Sequence, residues 1–462
     1  MIRRKQAQAP LFYAAEEIRP ATSGRYERID GVVGNWEALA APLRNGFSQE
    51  RNGRPTDPVV YLKIFLLGYL LNISEDTELA ERISDSLSIR RFLGYDLNEA
   101  TPDHSSISKV RARLAGHVEE VLENVVQLCT SAGLVDGKEC SVDSSLSKAN
   151  ASCARLVHLD TGETPKEYTA RLRKADPNAK VSVKNRDFIC TTDPEARLTS
   201  KPSAPPDLYY KVTHVTDSKC QIILSAGCST ADTHDVHCAA GPLRRASRTL
   251  KLSRVAMGTV VADSGYDDGN FHAFVESLGS VPLTNHYSRE RKGQIPKSDF
   301  RYDSERDVYI CPAGQALKCL RTDPSKKQYR SKETVCKDCP FKAECISKGQ
   351  VRLITRYPNE EARSRNLARC KTAEGKRALS RRKHVVEPPF AHMKQHGGLR
   401  RLNCRTLDRV TVKFVIGAIA WNLLKVAESM RIPTISLKTR LTTTFLSLRS
   451  AISAPRELQI AA

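Results

Sequence analysis

The sequence predicts a mixed α/β protein that begins with an all-helical segment. Three observations lead to this fold class. Apolar residues recur at helical spacing across residues 47–135. Strand-like runs then combine with a helical stretch between residues 139 and 284, and a cysteine-bearing segment at 291–360 has few apolar residues. At 462 residues the chain is about three times a typical domain, so we expect two or three structural units.

Each element follows from a local pattern. A first helix begins near Val59, a second carries apolar residues from Leu79 to Leu87 on one face, and a third runs unbroken from about Ser105 to Gly133. The later elements are a strand at 139–143, a hairpin of strands at 209–215 and 221–225, a helix at 236–252, strands at 257–262 and 280–284, and an amphipathic helix at 410–430.

The charge of the chain is strongly positive. Lys and Arg exceed Asp and Glu by 21, and basic residues cluster at 241–255 and 363–383. Such a field favours nucleic acid as a partner over the alternative of a passive basic surface. The N-terminus lacks the apolar region of a signal peptide, and the apolar runs 59–73 and 414–424 are short for a membrane span, so we expect no membrane partner. The 14 cysteines then indicate a reducing cytoplasm.

Three carboxylates stand out by position. Asp143 and Asp263 each end a predicted strand, and Glu387 begins a helix-like segment. Acids at the ends of strands lie at the ligand-binding edge of an α/β sheet. If three converge, cations must neutralise them, and hard Mg²⁺ is the expected occupant. The alternative for each is an ordinary turn or cap residue.

Several short motifs occur in order along the chain. They are Gly53-Arg-Pro-Thr-Asp-Pro58, Phe92-Leu-Gly94, Pro102-Asp-His-Ser-Ser106, Val142-Asp-Ser-Ser145, Lys148-Ala-Asn-Ala-Ser152, Tyr210-Lys-Val212, Ala262-Asp-Ser-Gly-Tyr266, and Val386-Glu-Pro-Pro-Phe390 with Met393-Lys394. Over about residues 53–424 the chain therefore resembles bacterial insertion-sequence transposases of the DDE type, in the branch with an N-terminal helical domain and a cysteine-bearing insertion before the catalytic glutamate.

The resemblance implies a ribonuclease-H-like catalytic core. Asp143, Asp263 and Glu387 would be its catalytic triad and would bind two Mg²⁺ ions, with Mn²⁺ as a substitute. Related transposases also carry a Tyr, Arg, Glu, Lys signature, in which Glu387 is the Glu and Lys394 fits the Lys. The chain departs from this signature at the Arg place, which is Lys383 beside Arg382, and at the Tyr place, which is Ser380. The predicted DNA contacts are Lys394, Arg382, Lys383 and Arg381.

A group of cysteines in the insertion predicts a structural zinc site. Cys336 and Cys339 have the spacing at which two thiolates bind one tetrahedral ion, and Cys311 and Cys345 would complete a four-thiolate set. Cys319 is a rival ligand. The alternative is a set of free reduced thiols.

Composition and resemblance together predict six segments. They are an N-terminal segment at 1–46, a helical DNA-binding domain at 47–135, the first part of the catalytic domain at 136–290, the Cys-rich insertion at 291–360, the second part of the catalytic domain at 361–430, and a basic tail at 431–462.

The predicted function is metal-dependent DNA transposition. The protein is expected to bind the terminal inverted repeats of its own element, cut double-stranded DNA and join the freed 3′ hydroxyl to target DNA. Action on two ends implies a homodimer or a larger assembly, and we expect a cytoplasmic, nucleoid-associated bacterial protein. Two alternatives are a nuclease that cuts without joining and a catalytically inactive DNA-binding protein descended from a transposase.

Overall fold

The chain divides into two compact units. Unit 1 comprises residues up to Met257 and from Lys383 onward, and unit 2 comprises Gly258–Arg382. The computed structural model describes residues 24–47, 57–178, 182–200, 205–286, 293–346 and 349–430. The predicted tail at 431–462 and most of the turn at 53–58 lie outside these residues, and the predicted domain boundaries stay predictions.

Unit 1 opens with helices, as the apolar spacing predicts. They are α1 (Gly24–Val33), α2 (Trp36–Ala40), α3 (Pro58–Leu71), α4 (Asp76–Asp85), α5 (Leu87–Leu93), α6 (His104–Arg113) and α7 (Val118–Ser131).

Two of the predicted helices are shorter than expected. The chain breaks between α6 and α7, where Gly116 has a φ of +87°, a conformation that glycine adopts without strain. The second predicted helix ends before Leu87, because the Ser86 side chain accepts a hydrogen bond from the Ile89 amide and caps α5 instead. The apolar spacing runs through both breaks because the helices on either side bury their apolar residues.

The strands of unit 1 follow the helices. The elements are β1 (Glu139–Lys148), β2 (Leu156–His158), α8 (Pro165–Ala175), β3 (Phe188–Cys190), β4 (Arg197–Thr199), β5 (Asp207–Asp217), β6 (Ile222–Thr230) and α9 (Asp235–Leu252).

An antiparallel arrangement centres on β5. It pairs with β1 along one edge, and with β4 and then β6 along the other, while β2 and β3 form a separate two-stranded sheet. The predicted hairpin of β5 and β6 is confirmed. Its turn ends at Gln221, whose φ of 60° is in the left-handed region.

Unit 2 contains a parallel strand pair and a second sheet. Its elements are β7 (Thr259–Ala262), α10 (Gly269–Ser277), β8 (Val281–Thr284), β9 (Arg301–Asp303), β10 (Val308–Ile310), β11 (Ala316–Asp323), β12 (Lys326–Arg330), α11 (Glu333–Lys337), α12 (Lys342–Cys345), β13 (Leu353–Arg356) and α13 (Glu360–Lys371). Strands β7 and β8 are parallel neighbours.

The Cys-rich segment has a core of its own, contrary to the expectation of a segment with few apolar residues. Five antiparallel strands in the order β13-β12-β11-β10-β9 form one sheet. One face of this sheet buries a cluster made largely of aromatic side chains, namely Phe300, Tyr309, Leu317, Tyr329 and Ile354. Tyrosines on short strands supply apolar surface that a count of aliphatic residues overlooks.

Two long helices complete the chain. Helix α14 (Ala373–His396) contains the boundary between the units, and α15 (Leu407–Ser429) lies in unit 1. Helix α15 is long and apolar enough to cross a membrane, but 78% of its apolar window is buried within the protein. It packs against β6, α7 and α3, so it is a core helix buried on nearly all sides rather than the amphipathic helix predicted. The mixed α/β class and the N-terminal helices are confirmed.

Candidate functional site

Asp143 lies in the middle of β1 and not at its end. The strand continues five residues further, paired with β5 as far as Lys148 opposite Tyr209. The predicted position at a strand end was therefore wrong. Asp143 is half-buried and its carboxylate accepts a hydrogen bond from the Ser144 amide at 2.8 Å.

The residue opposite Asp143 fixes the direction of its side chain. Asp143 pairs with His214 across β1 and β5, and residues directly opposite in an antiparallel pair share a face of the sheet. The His214 ring packs on the Phe390 ring of α14, with ring centroids 3.9 Å apart. Helix α14 therefore lies over the face of the β1–β5 pair that carries Asp143.

A second contact supports the same placement. Lys394 of α14 contacts the hydroxyl of Ser145, which is two residues from Asp143 and so on the same face of β1. Glu387 precedes Lys394 by seven residues, which is two helical turns, and the two side chains share one side of α14. Asp143, Glu387 and Lys394 are therefore brought together on the facing surfaces of β1 and α14.

Glu387 also differs from its predicted position. It lies inside the 24-residue helix α14, not at its start, although Pro388 and Pro389 follow it. Its residue surface is exposed. Burial holds the neighbouring His214 neutral by lowering the pKa of its imidazole to about 3. The residue opposite Asp143 is thus a neutral ring, and the Lys394 ammonium contacts the same face of β1.

Asp263 lies in unit 2, where it directly follows β7 as predicted. Its carboxylate accepts a hydrogen bond from the Gly265 amide at 2.8 Å and starts a short 3₁₀ turn. Tyr266 ends this turn and is fully buried. The Tyr266 side chain therefore packs inside the protein.

Four residues after Asp263, the sequence interpretation missed a buried charge cluster. The Asp267 carboxylate accepts a hydrogen bond from the Arg363 guanidinium at 2.9 Å and lies 2.7 Å from Nδ1 of His286. Burial raises the pKa of Asp267, but the opposing effects of Arg363 and His286 leave it below its ordinary value. The Asp-Asp sequence after Tyr266 was the available signal, but nothing in the spacing pointed to Arg363.

The basic clusters are partly neutralised within the fold. In the 241–255 cluster, Arg245 pairs with Glu119 and Arg248 pairs with Glu123. In the 363–383 cluster, Arg363 pairs with Asp267, while Arg365 and Arg369 both pair with Glu276. The raw count of basic residues therefore overstates the charge that these clusters present to a partner.

The predicted DNA contacts near Glu387 differ in exposure. Arg381 and Lys383 are exposed, whereas Arg382 is only 9% exposed.

The four predicted zinc ligands lie in one region of unit 2. Burial raises the pKa of the Cys345 thiol, and Cys336, Cys311 and Cys339 are close enough to raise it further, against the lowering effect of Arg352. The sulfur of Cys311 accepts a hydrogen bond from the Gln315 amide at 3.3 Å. The rival, Cys319, is exposed on β11.

A preassembled metal site is not present in the described part of the chain. Within those residues, no group of three or more His, Cys, Asp or Glu side chains is gathered closely enough to hold an ion. The donor chemistry nevertheless suits the expected metals. Asp143 and Glu387 offer accessible carboxylate oxygens, which hard cations prefer, and all 14 cysteines are free thiols.

Comparisons with known proteins point to one kind of protein. A family profile described as a transposase domain matches residues 14–113, and one described as a transposase DDE domain matches residues 310–427. No curated protein matches significantly.

Solved structures give weak similarities. A piggyBac transposase synaptic complex with hairpin DNA is 12% identical, with 94% of this chain and 82% of that chain covered and a TM-score of 0.34. A Mos1 transposase paired-end complex with the left transposon end is 10% identical, with 51% and 61% covered and a TM-score of 0.17. A Mos1 mariner paired-end complex with Mn is also 10% identical, with 53% and 64% covered and a TM-score of 0.17.

Proposed function

We propose that the chain is a DDE transposase, which the two transposase profiles support, and that it binds the terminal inverted repeats of a bacterial insertion sequence, cuts them and joins the freed 3′ hydroxyl to target DNA. We assign the catalytic chemistry to a ribonuclease-H-like core whose part in unit 1 contains β1, β5 and β6. The observation that carries this proposal is the placement of α14 over the sheet face of Asp143, through Phe390 on His214 and Lys394 on Ser145.

In this proposal Asp143, Asp263 and Glu387 hold two Mg²⁺ ions, for which Mn²⁺ can substitute. Bound metal would activate the attacking hydroxyl and stabilise the leaving oxygen of the phosphodiester. The chain itself supplies rigid positions for the carboxylates. The packed rings of His214 and Phe390 fix how α14 sits on β1, so the Glu387 carboxylate needs little reorganisation before reaction.

Cations near the carboxylates would bind the phosphates of the DNA backbone. Lys394 places its ammonium on the face of β1 that carries Asp143 and would neutralise a phosphate there. Among the three basic residues before Glu387, Arg381 and Lys383 are exposed and could contact the DNA backbone, whereas the burial of Arg382 favours a structural role for that residue.

Helices α3–α7 would recognise the element ends, and two ends require at least two chains. We place the protein in the bacterial cytoplasm.

We also propose a structural zinc ion in unit 2, bound by Cys311, Cys336, Cys339 and Cys345. The support is the spacing of Cys336 and Cys339, the proximity of Cys311, Cys336 and Cys339 to Cys345, and the hydrogen bond of the Gln315 amide to the Cys311 sulfur. Four thiolates leave no open coordination position, so this zinc would stabilise the fold and take no part in the chemistry.

The catalytic proposal is tested by removing charge and keeping shape. Asp143→Asn, Asp263→Asn and Glu387→Gln should each fold and bind element ends, yet lose DNA cleavage by at least about a hundredfold, because an amide attracts a hard cation weakly. Cleavage of a labelled inverted-repeat duplex in Mg²⁺ is measured beside gel-shift binding.

Asp160→Asn is the matched control, since Asp160 is an exposed acid in a turn of unit 1. It should cut at the parent rate. A triad variant that also cuts at the parent rate would remove that residue from the site. A parent protein that binds ends but releases no product would favour the inactive DNA-binding alternative, and one that cuts without joining would favour the nuclease.

The zinc proposal predicts about one zinc ion per chain in protein prepared without chelator. Changing Cys336 and Cys339 together to Ser should lose this zinc and make residues 293–346 more sensitive to protease. Cys319→Ser is the control and should keep the metal, because Cys319 is the exposed rival on β11. Elemental analysis of all three proteins is the measurement, and a parent protein without zinc would contradict the proposal.

A further inference from the structure

The five-stranded sheet of unit 2 has two faces of different character. The inner face packs on the aromatic cluster that contains Tyr309 and Tyr329. The outer face carries exposed cations from three strands. They are Arg301 on β9, Lys318 and Arg321 on β11, and Arg330 on β12.

The strand register places these four side chains on the same face. Lys318 is directly opposite Arg330. Arg301 is opposite Ile310, which is opposite Ala316, two residues before Lys318 on β11. Arg321 is opposite Gln328, two residues before Arg330 on β12. Opposite residues and residues two apart share a face, so all four cations project from the side that does not bury the core.

Cations on the inner face are neutralised, and these four are not. Lys327 pairs with Asp307, and Arg356 pairs with Glu361 and stacks on the Tyr302 ring. In the portion of unit 2 that the structure describes, none of the four outer cations has an ion-pair partner within 4.0 Å.

Acids on the outer face do not compensate for them. Asp303 pairs with Arg306 and accepts from the amides of the turn after β9. Asp323 is occupied in the turn between β11 and β12, where it accepts from the Ser325 amide at 2.9 Å.

A like-charge pair directly across two strands destabilises a sheet. The Lys318–Arg330 pair therefore destabilises the isolated protein, and Arg321 on the same face adds to the repulsion. Folding gives no reason for this arrangement, whereas an anionic partner would convert the repulsion into attraction.

We propose that the outer face of this sheet binds the phosphate backbone of double-stranded DNA. The inference deepens the proposed transposase function, on which it rests, by giving the Cys-rich insertion a part in holding DNA. Neighbouring strands are ~4.8 Å apart and alternate residues ~7 Å apart, so the four cations spread over roughly 15 Å. A duplex presents about nine phosphate charges over that length. On the same face, Gln328 lies opposite Arg321, and Thr355 lies opposite Gln328 on the edge strand β13; both side chains can donate hydrogen bonds to phosphate oxygens.

The test is the salt dependence of binding to a short duplex of arbitrary sequence. The triple variant Lys318→Gln, Arg321→Gln, Arg330→Gln should lower the log–log slope of affinity against salt by about two to three units, since each phosphate neutralised contributes about 0.9. A charge-preserving variant, Lys318→Arg, Arg321→Lys, Arg330→Lys, should keep the slope of the parent. Zinc content and circular dichroism report whether each variant folds.

A second control removes the same net charge from the same unit but away from the sheet. Lys332→Gln, Lys337→Gln, Lys342→Gln should leave the slope close to that of the parent. Equal losses in this control and in the sheet variant would overturn the proposal, because the effect would then come from net charge. A sheet variant with the parent slope would also overturn it and leave the transposase proposal standing. A parent that binds no DNA would overturn both.

Discussion

The regions near two of the proposed catalytic carboxylates are stabilised by different interactions. Opposite Asp143 on β5, rings pack together, since His214 packs on Phe390 with centroids 3.9 Å apart and Phe390 stacks on Phe414 at 6.4 Å. Around the Asp263 turn of unit 2, the fixed partners are charges, with the buried Asp267 paired to Arg363 and His286.

This difference indicates which perturbations each carboxylate will tolerate. Packing forces depend on volume and shape and little on pH, whereas ion pairs depend on the protonation of their partners. Asp143 should therefore be sensitive to changes in side-chain size, and the Asp263 turn to changes in charge. Both regions also contain a buried histidine that burial keeps neutral, namely His214 and His272.

The largest expected loss of stability comes from removing a ring near Asp143. Phe390→Ala should destabilise the protein by about 3–5 kcal/mol, the cost of a cavity in place of a buried aromatic ring. It should also reduce cleavage per folded molecule, because the ring that seats α14 beside Asp143 is lost. Urea unfolding and cleavage normalised to the folded fraction are the measurements.

Phe188→Ala is the matched control for Phe390→Ala. Phe188 is also buried in unit 1, where its ring packs edge-on against Tyr168 of α8. It should cost a similar free energy of unfolding and leave normalised cleavage unchanged. Equal cleavage by the two variants would show that Phe390 does not position Glu387.

The next largest loss of stability comes from breaking the ion pair of Asp267. Arg363→Ala should destabilise unit 2 toward the low end of about 3–5 kcal/mol, because it leaves the buried Asp267 carboxylate without its guanidinium partner. Arg365→Ala is the control, since its pair with Glu276 is more exposed and should cost at most about 1 kcal/mol. Urea unfolding distinguishes the two variants, and equal costs would mean that the Asp267 pair is not the stabilising element.

The smallest expected effect is the pH dependence of stability that His272 confers. Burial lowers the pKa of His272 from 6.5 to about 4, so the unfolded chain binds more protons between these values and stability falls as pH falls. The loss should reach at most about 3 kcal/mol at pH 4. Asp267 affects stability at a lower pH than His272 does. Because its pKa is depressed in the folded protein, the stability it contributes disappears only as pH falls below 3.8 toward that folded pKa.

His272→Gln tests this assignment, because Gln keeps a polar side chain near Thr284 but does not titrate. The variant should show a flatter stability profile than the parent between pH 6.5 and 4. Parallel profiles would assign the pH dependence to other groups.

The sequence predicted elements well where one periodicity continued without interruption. The hairpin of β5 and β6, the helix α9 and the strands β7 and β8 were all predicted close to their observed bounds. It failed where a single residue overrides a pattern, as Gly116 does between α6 and α7 and Ser86 does before α5. Local caps and left-handed turns interrupt helices without changing the spacing of apolar residues.

The candidate site was predicted less completely than the fold. Motif resemblance named Asp143, Asp263, Glu387 and Lys394, and the structure connects Lys394 to the strand of Asp143. The motifs could not predict the Asp267–Arg363 pair, because 96 residues separate the partners and no local pattern links them. Nor could they predict the opposition of Lys318 and Arg330, which depends on a strand register and on the irregularity between Cys319 and Arg321.

The division of the chain has a consequence for its synthesis. Unit 1 is built from two stretches, and the second begins only at Lys383, after all of unit 2. Helix α15, which packs on β6, α7 and α3, is therefore among the last parts of unit 1 to leave the ribosome. A growing chain can fold unit 2 early, but the apolar surfaces that α15 covers stay open until about residue 430 has emerged. The nascent chain thus exposes these apolar surfaces while unit 2 is being made, and Glu387 can meet β1 only after unit 2 has been synthesised.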